Sequence, residues 1–306
     1  MAHVWPIGGG KGGSGKSFLT SSLGRLAAEL GKKTLVIDLD LGAANLHTLV
    51  GVPYPSKGLS DFIRKKIPHL EETVVETPHA NLFLISGAHD NFDIANLPYE
   101  QKMKTLRAIS RLDYDCVLLD LGAGTSFNTL DFFLISQNGI FITTPEPTSV
   151  ENVYRLIRAI YFRRIRYAFT APEFRELELE TDRQFGEGAL NKPISVMKVI
   201  ARTHPEKHGT LQEEFSAYRF KLIINQVRKH DNIQLGAQMS RMMEKHLDLH
   251  VEFAGNVAFD DHVHDAICRQ VPFLECYAYT RTASDLREVS RQIIQSAGKQ
   301  LMLQYM

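Results

Sequence analysis

The chain has 306 residues, 44% of them hydrophobic, with 35 lysines and arginines against 35 aspartates and glutamates. That length and apolar content allow one large α/β domain with insertions or two ordinary domains, and the neutral balance excludes global charge as a means of wrapping nucleic acid or coating an anionic membrane. Its three cysteines, Cys116, Cys268 and Cys276, form no C-x-x-C pair, which speaks against a zinc site or disulfide framework and fits a reducing compartment.

The apolar run Val4-Trp5-Pro6-Ile7 reads as a strand, and Ser17 to Leu30 has the spacing of an amphipathic helix. Between them lies Gly10-Lys11-Gly12-Gly13-Ser14-Gly15-Lys16-Ser17, a phosphate-loop pattern in the strand-to-helix context that it needs. Glycines let the backbone wrap phosphate oxygens with inward N–H groups, Lys16 brings a mobile cation to the β and γ phosphates, and Ser17 offers a hydroxyl to Mg²⁺. Nucleotide contacts are expected from Gly10 through Phe18. Lys11 is additional: a cation that completes charge neutralisation in phosphoryl transfer often comes from a partner, and here one is written into the loop, which suits a dimer.

After that helix, 33–37 is a short β-branched run closed by Asp38-Leu39-Asp40-Leu41-Gly42. Further strands are expected at 81–86, 115–119, 139–143, 220–224 and 251–255, with helical spacing over 99–112 and 150–167. Strands alternating with helices predict an α/β fold: one P-loop domain over 1–306, with a mainly parallel central sheet flanked by helices on both faces. Ligands of such sheets lie beyond the carboxyl ends of the strands, where the loop, both aspartate clusters and Asn225 all fall. Asp120 ends the run Val117-Leu118-Leu119 and reads as a carboxylate delivered to magnesium. Asp38 and Asp40, two apart, would point the same way in an extended segment.

The stretch at about 163–218 breaks the rhythm, being charged and carrying Pro172, Pro193 and Pro205. It reads as an insertion with a short helix over 174–185 and loops at 169–172 and 204–209, serving either a protein partner or no purpose beyond a solvated surface. Arg155, Arg158, Arg163, Arg164 and Arg166 form a basic cluster open to nonspecific phosphate contact. The acidic 173–180 region follows it, and pairing within the chain is the more economical reading. His262 and His264 lie among Asp260, Asp261 and Asp265 but lack the separated ligand spacing of a metal site. A C-terminal helix at about 283–305 carries Val289, Ile293, Ile294, Ala297, Leu301 and Met302 at helical spacing. It suits packing on the domain or, as the second option, contact with a membrane surface. No apolar run approaches the roughly 18–20 residues of a membrane span and no basic leader precedes the first strand, so the sequence predicts a cytoplasmic protein, with a peripheral place on the membrane's inner face as the second option.

The pattern Lys-Gly-Gly-x-Gly-Lys-Ser at Lys11 to Ser17 resembles the deviant Walker A motif of the MinD/ParA family. The resemblance implies an ATPase that takes ATP and Mg²⁺ and forms a nucleotide sandwich homodimer, in which Lys11 reaches the other subunit's phosphates. Asp38 to Leu46 is similar to the family's first switch, which places Asp38 beside magnesium and makes Asp40 the residue that positions the attacking water. Asp120-Leu121-Gly122-Ala123-Gly124 resembles the second switch, where Gly124 offers its amide to the γ-phosphate. Ile223-Ile224-Asn225-Gln226-Val227 looks like the base-recognition strand and makes Asn225 the selector of adenine.

Thr143-Thr144-Pro145-Glu146-Pro147-Thr148-Ser149 resembles the flagellar-number regulators of this family, the FlhG/FleN (YlxH) branch, and relatives carry Glu146 near the dimer interface. Two features depart from the pattern: Ala258 stands where relatives usually have a proline beside the base, and only a short stretch precedes Gly10 where flagellar regulators carry an activation element. The implied function is a dimerising switch that governs placement or number of a flagellum or division site through a protein partner. A DNA-partitioning ATPase riding on the nucleoid and an ATP-dependent ligase or amidotransferase synthetase are the alternatives. Iron–sulfur carriers of the same fold need paired cysteines that this chain lacks.

Overall fold

Along the central strands, alternate side chains go to opposite faces and both faces are dry. Val4, Leu35, Ile37, Val117 and Leu119 enter one apolar cluster, while Trp5, Ile7, Val36 and Leu118 enter the other. A computed structural model describes residues 3–42, 44–87, 97–189 and 192–304, with 295–304 as backbone alone. Its strands are β1 (His3–Gly9), β2 (Thr34–Leu39), β3 (Val75–Glu76), β4 (Leu82–Ile85), β5 (Cys116–Leu121), β6 (Asn138–Thr143), β7 (Arg219–Val227) and β8 (Val251–Ala258). They lie in the order β3-β4-β2-β5-β1-β6-β7-β8, and only the β3–β4 pair is antiparallel.

Parallel neighbours need crossovers, and helices supply them. α1 (Lys16–Glu29) follows β1; α2 (Leu46–Leu49) and α3 (Leu59–Ile63) follow β2; α4 (Tyr99–Ile109) and α5 (Phe127–Phe133) flank β5. The β6–β7 connection holds α6 (Pro147–Tyr167), α7 (Ala171–Phe185), α8 (Pro193–Thr203) and α9 (Pro205–Ala217). α10 (Leu235–Leu247) joins β7 to β8, and α11 (Asp261–Cys268), α12 (Phe273–Cys276) and α13 (Arg281–Gln304) follow. One face is covered by Phe18 and Leu19 of α1, Phe273 of α12 and Leu286 and Val289 of α13. The other is covered by α5, α6 and the helices up to α10.

Of the loops expected at 169–172 and 204–209, only 169–170 and 204 lie outside helices. Ala171–Phe185 begins four residues after α6 ends, and Pro205–Ala217 takes in the whole of 205–209. Both start with a proline in the first turn, where its missing N–H costs nothing and its fixed φ favours the helix. Thr170 and Glu173 add a reciprocal capping box to α7. A proline signals a break only when it lies inside a helix, and all three prolines of this stretch stand at helix starts.

α13 begins at Arg281 and covers 283–304 of the expected C-terminal helix, residue 305 lying outside the described residues. Ala283, Leu286, Val289 and Ile293 are buried, and the helix packs on β8 and α1. The side chains of Ala297, Leu301 and Met302 lie outside the described residues. Among the described residues no helix is long and apolar enough to cross a membrane.

Candidate active site

β1, β2 and β5 are adjacent and in register, with Ile7 opposite Asp120 and Asp38 opposite Asp120. The loop leaving β1 and the two carboxylates therefore emerge at one level of the sheet. Gly13 and Gly15 hold φ of +78° and +86°, in the left-handed region where a side chain is strained. A Cβ at Gly12 or Gly13 would meet nothing within 4 Å, so the loop keeps an open side, and α1 starts beneath it with no acidic residue in its first turn. This is a helix N-terminus suited to anions. Gly10 is also a close-packing position: its Cβ would fall 2.2 Å from the Asn152 carbonyl carbon, so the chain there lies flat on α6.

Lys16 is 7% exposed and its charge lowers the pKa of Asp120. Burial outweighs that help and the hydrogen bond from Ser17, so Asp120 stays above the usual carboxylate range. Thr20 Oγ1 donates to Asp120 Oδ1 at 3.4 Å. Asp38 is fully buried and also pushed up, by burial first and by Asp120 second. Both its oxygens accept amides of the following segment, Oδ1 from Asp40 at 3.1 Å and Oδ2 from Leu46 at 3.0 Å. Asp38 thus anchors the 40–46 segment. Asp40 is half-buried, and a Cβ on Gly122 would lie 3.4 Å from its Oδ1, so the two expected switches touch there. Two raised neighbouring carboxylates beside a serine hydroxyl form an oxygen donor set that a hard divalent cation fits. Ser14 Oγ, buried at the base of the loop without a partner among the described residues, is a spare polar group inside the same cradle.

Several of the expected residues make contacts within the chain. Lys11 forms an ion pair with Glu146 of its own chain, at the N-terminus of α6. Gly124 has φ +88° and its amide donates to the Gly9 carbonyl at 3.2 Å. The Phe18 ring is buried and meets Phe273 edge-on at 5.3 Å, which leaves only its backbone for a nucleotide. Asn225 is 3% exposed, and its Nδ2 donates to the Ser14 carbonyl at 2.9 Å. Ala258 donates its amide to Asp285 of α13 at 2.9 Å and accepts from Thr282 at 3.0 Å, a clamp that a proline could only half make.

Gln226 was not singled out in the sequence. Its φ of +60° turns the chain at the end of β7, and its Nε2 reaches the Gly13 carbonyl at 2.9 Å. Two consecutive side-chain amides therefore hold two consecutive loop carbonyls. Nothing in the one-dimensional pattern signals it, because the left-handed turn that aims Gln226 is a property of the folded backbone.

A parallel α/β sheet whose glycine loop feeds a helix N-terminus beside strand-end carboxylates is the architecture of a P-loop nucleoside triphosphatase. Residues 6–273 match the model for the CobQ/CobB/MinD/ParA nucleotide binding domain. The chain belongs to that family, is a MinD/ParA-type ATPase, and stands near FleN within it. It is 21% identical to the antiactivator FleN of Pseudomonas aeruginosa over 294 residues, 95% of this chain and 86% of FleN. It is 26% identical over 221 residues to the septum site-determining protein MinD of Buchnera aphidicola subsp. Schizaphis graminum, covering 72% of this chain and 81% of that one. The Pyrococcus horikoshii MinD structure, complexed with Mg-ADP, shares the fold with a TM-score of 0.64 at 19% identity, covering 97% and 98% of the two chains.

Proposed function

We propose that the chain is an ATP-dependent dimerising switch whose hydrolysis resets its hold on a protein partner, and that it governs placement or number of a cell structure of the flagellar or division-site kind. The observation that carries the reading is Lys11. It is a second lysine on the loop, 32% exposed and held, among the described residues, only by the exposed carboxylate of Glu146. Exposed pairs contribute ~0–1 kcal/mol, so an incoming triphosphate on a facing protomer can take the lysine at little cost. Similarity to FleN and MinD supports the placement role.

In this reading Lys16 and the loop amides bind the phosphates, and Ser17 and Asp120 hold Mg²⁺. When bound, the metal neutralises charge on the β and γ phosphates. Asp38 fixes the segment bearing Asp40, and Asp40 orients the attacking water. The Gly124 amide exchanges the Gly9 carbonyl for the γ-phosphate, so that segment 122–126 reports which nucleotide is bound. Adenine would lie between Asn225 and the Ala258 clamp.

The basic cluster of α6 is largely engaged inside the chain. Arg155 pairs with Glu151, Arg163 with Asp131 and Arg164 with Glu214, and Arg166 donates to the Phe169 carbonyl. That pairing supports a protein partner over a nucleoid carrier. Light scattering of the ATP-loaded protein tests the reading: a shift from monomer to dimer with ATP and back after hydrolysis is expected, and a monomer under every nucleotide would overturn it.

A further inference from the structure

A second concentration of cations lies away from the phosphate loop. Lys104 and Arg107 of α4 and Arg111, two residues beyond its end, recur at i, i+3 and i+7. All three are exposed and share one face, about 10 Å long at 1.5 Å per residue. None forms an ion pair among the described residues, whereas Arg155, Arg163 and Arg164 of α6 are all paired inside the chain. The dipole of α4 draws basic residues to its last turn, which accounts for Arg107. Lys104 stands further back and Arg111 lies past the helix, so helix stabilisation does not explain the set.

These groups line a cavity of about 300 Å³ between α4 and the connection from α3 to β3, which Phe62, Leu70 and Ala108 also line. Lys104 Nζ lies 4.2 Å from the centre of the buried Phe62 ring, a cation–π contact that holds the ammonium at the cavity. His69 comes from the other wall, just before the 3₁₀ turn Leu70–Thr73. Glu71 is the one carboxylate of the lining among the described residues, so three permanent cations meet a single anion. Arg64 and Lys65, exposed a few residues upstream in the same connection, add to the positive field. Arg111 precedes β5, which begins at Cys116, so the cavity lies toward the amino ends of the parallel strands. The phosphate loop is at their carboxyl ends.

We propose that this α3–α4 cavity binds a soluble small molecule carrying two or more linked phosphates, with Arg107 and Arg111 on its oxygens and Lys104 and His69 beside them. Charge and shape select that occupant. A single carboxylate neutralises one cation, whereas an oligophosphate has charge and acceptors for three, and guanidinium forks grip its oxygens two at a time. The volume is at the small end of the ~300–1,000 Å³ of ligand sites. A nucleic-acid duplex presents its phosphates along a convex backbone, which a hollow of this size does not follow. Membrane contact needs large apolar side chains projecting beside the cations, and here Phe62 and Leu70 are 2% and 1% exposed. The site is separate from the nucleotide and does not depend on the dimer reading.

The probe is inorganic tripolyphosphate, titrated into the full chain saturated with Mg-ADP so that the phosphate loop is already filled. Isothermal titration calorimetry should find a single saturable site, and the probe should raise the melting temperature of the ADP-loaded protein. Arg107→Ala and Arg111→Ala should each weaken binding about tenfold, the weight of one hydrogen bond to a charged group, with ATP turnover and circular dichroism unchanged. Lys104→Met keeps its stem over Phe62 and should lose affinity to a similar degree. Added salt should weaken binding to the wild-type chain and change little in the double variant Arg107→Ala with Arg111→Ala. Hexaglutamate, a DNA duplex and phosphatidylglycerol vesicles should all bind more weakly than the probe. No saturable binding to the ADP-loaded protein, or binding untouched by the two arginine substitutions, would overturn the proposal. So would any of the three other polyanions binding as tightly as tripolyphosphate, which would make the occupant an acidic peptide, a nucleic acid or a membrane instead.

Discussion

Asn225 donates its side-chain amide to the carbonyl of Ser14 at 2.9 Å, joining the end of β7 to the phosphate loop across 211 positions of sequence. Gln226 repeats the gesture on Gly13. The loop is therefore braced from the strand expected to read the base. A brace and a base selector give different kinetics. As a brace, Asn225→Ala raises the KM for ATP and GTP alike, at ~0.5–1.5 kcal/mol per lost hydrogen bond. A selector would lose discrimination between them instead. Gln226→Gly keeps the left-handed turn and removes only the amide, so a smaller rise of the same kind isolates the side chain. Steady-state kinetics with both nucleotides checks this.

Lys11→Ala should retain ATP binding and lose ATP-induced dimerisation in light scattering. The Lys11–Glu146 pair is exposed, so thermal stability should change little, by ~0–1 kcal/mol. Unchanged dimerisation would remove the lysine from any role across subunits.

Asp40→Ala should bind ATP normally and accumulate as a dimer with turnover reduced by about 100-fold or more, the usual weight of a residue that positions or deprotonates the nucleophile. Asp38→Ala differs in kind. It leaves the Leu46 and Asp40 amides without their acceptor and should loosen the whole segment. Chemical quench and limited proteolysis separate the two outcomes.

Asp131 of α5 is 4% exposed, accepts from Arg163 at 2.7 and 3.0 Å and is also paired with Lys102 and Tyr167. Burial raises its pKa, but the bonds from Arg163, Lys102 and Tyr167 outweigh it and hold the carboxyl below its ordinary value. A lowered folded pKa stabilises above the unfolded pKa of about 4 and is lost as pH falls through the folded value. Asp131→Asn should therefore destabilise by ~3–5 kcal/mol at neutral pH, because Lys102 stays buried without its counter-charge. The difference from wild type should begin to shrink as pH falls below about 4 and go on shrinking through the lowered folded value. Urea melts at pH 7 and pH 3 test both statements.

Local chemistry made much of this molecule legible from its residues. The glycine loop needs only its own backbone freedom and the strand and helix beside it, and the continuous apolar run through Leu35, Val36 and Ile37 marks a strand buried on both faces. Apolar runs ending in Asp38 and Asp120 place carboxylates at strand ends because parallel strands all deliver their carboxyl ends to one side. The prolines of the β6–β7 connection misled as loop signals, since first-turn proline and loop proline look alike until a helix is seen to follow. Only the tertiary structure decided what those side chains touch. Lys11 on Glu146, Asn225 on Ser14, Gln226 on Gly13 and Lys104 on Phe62 join residues far apart in sequence. Such contacts depend on sheet order and helix placement, and both are settled by the burial of whole faces rather than by any one residue's preference.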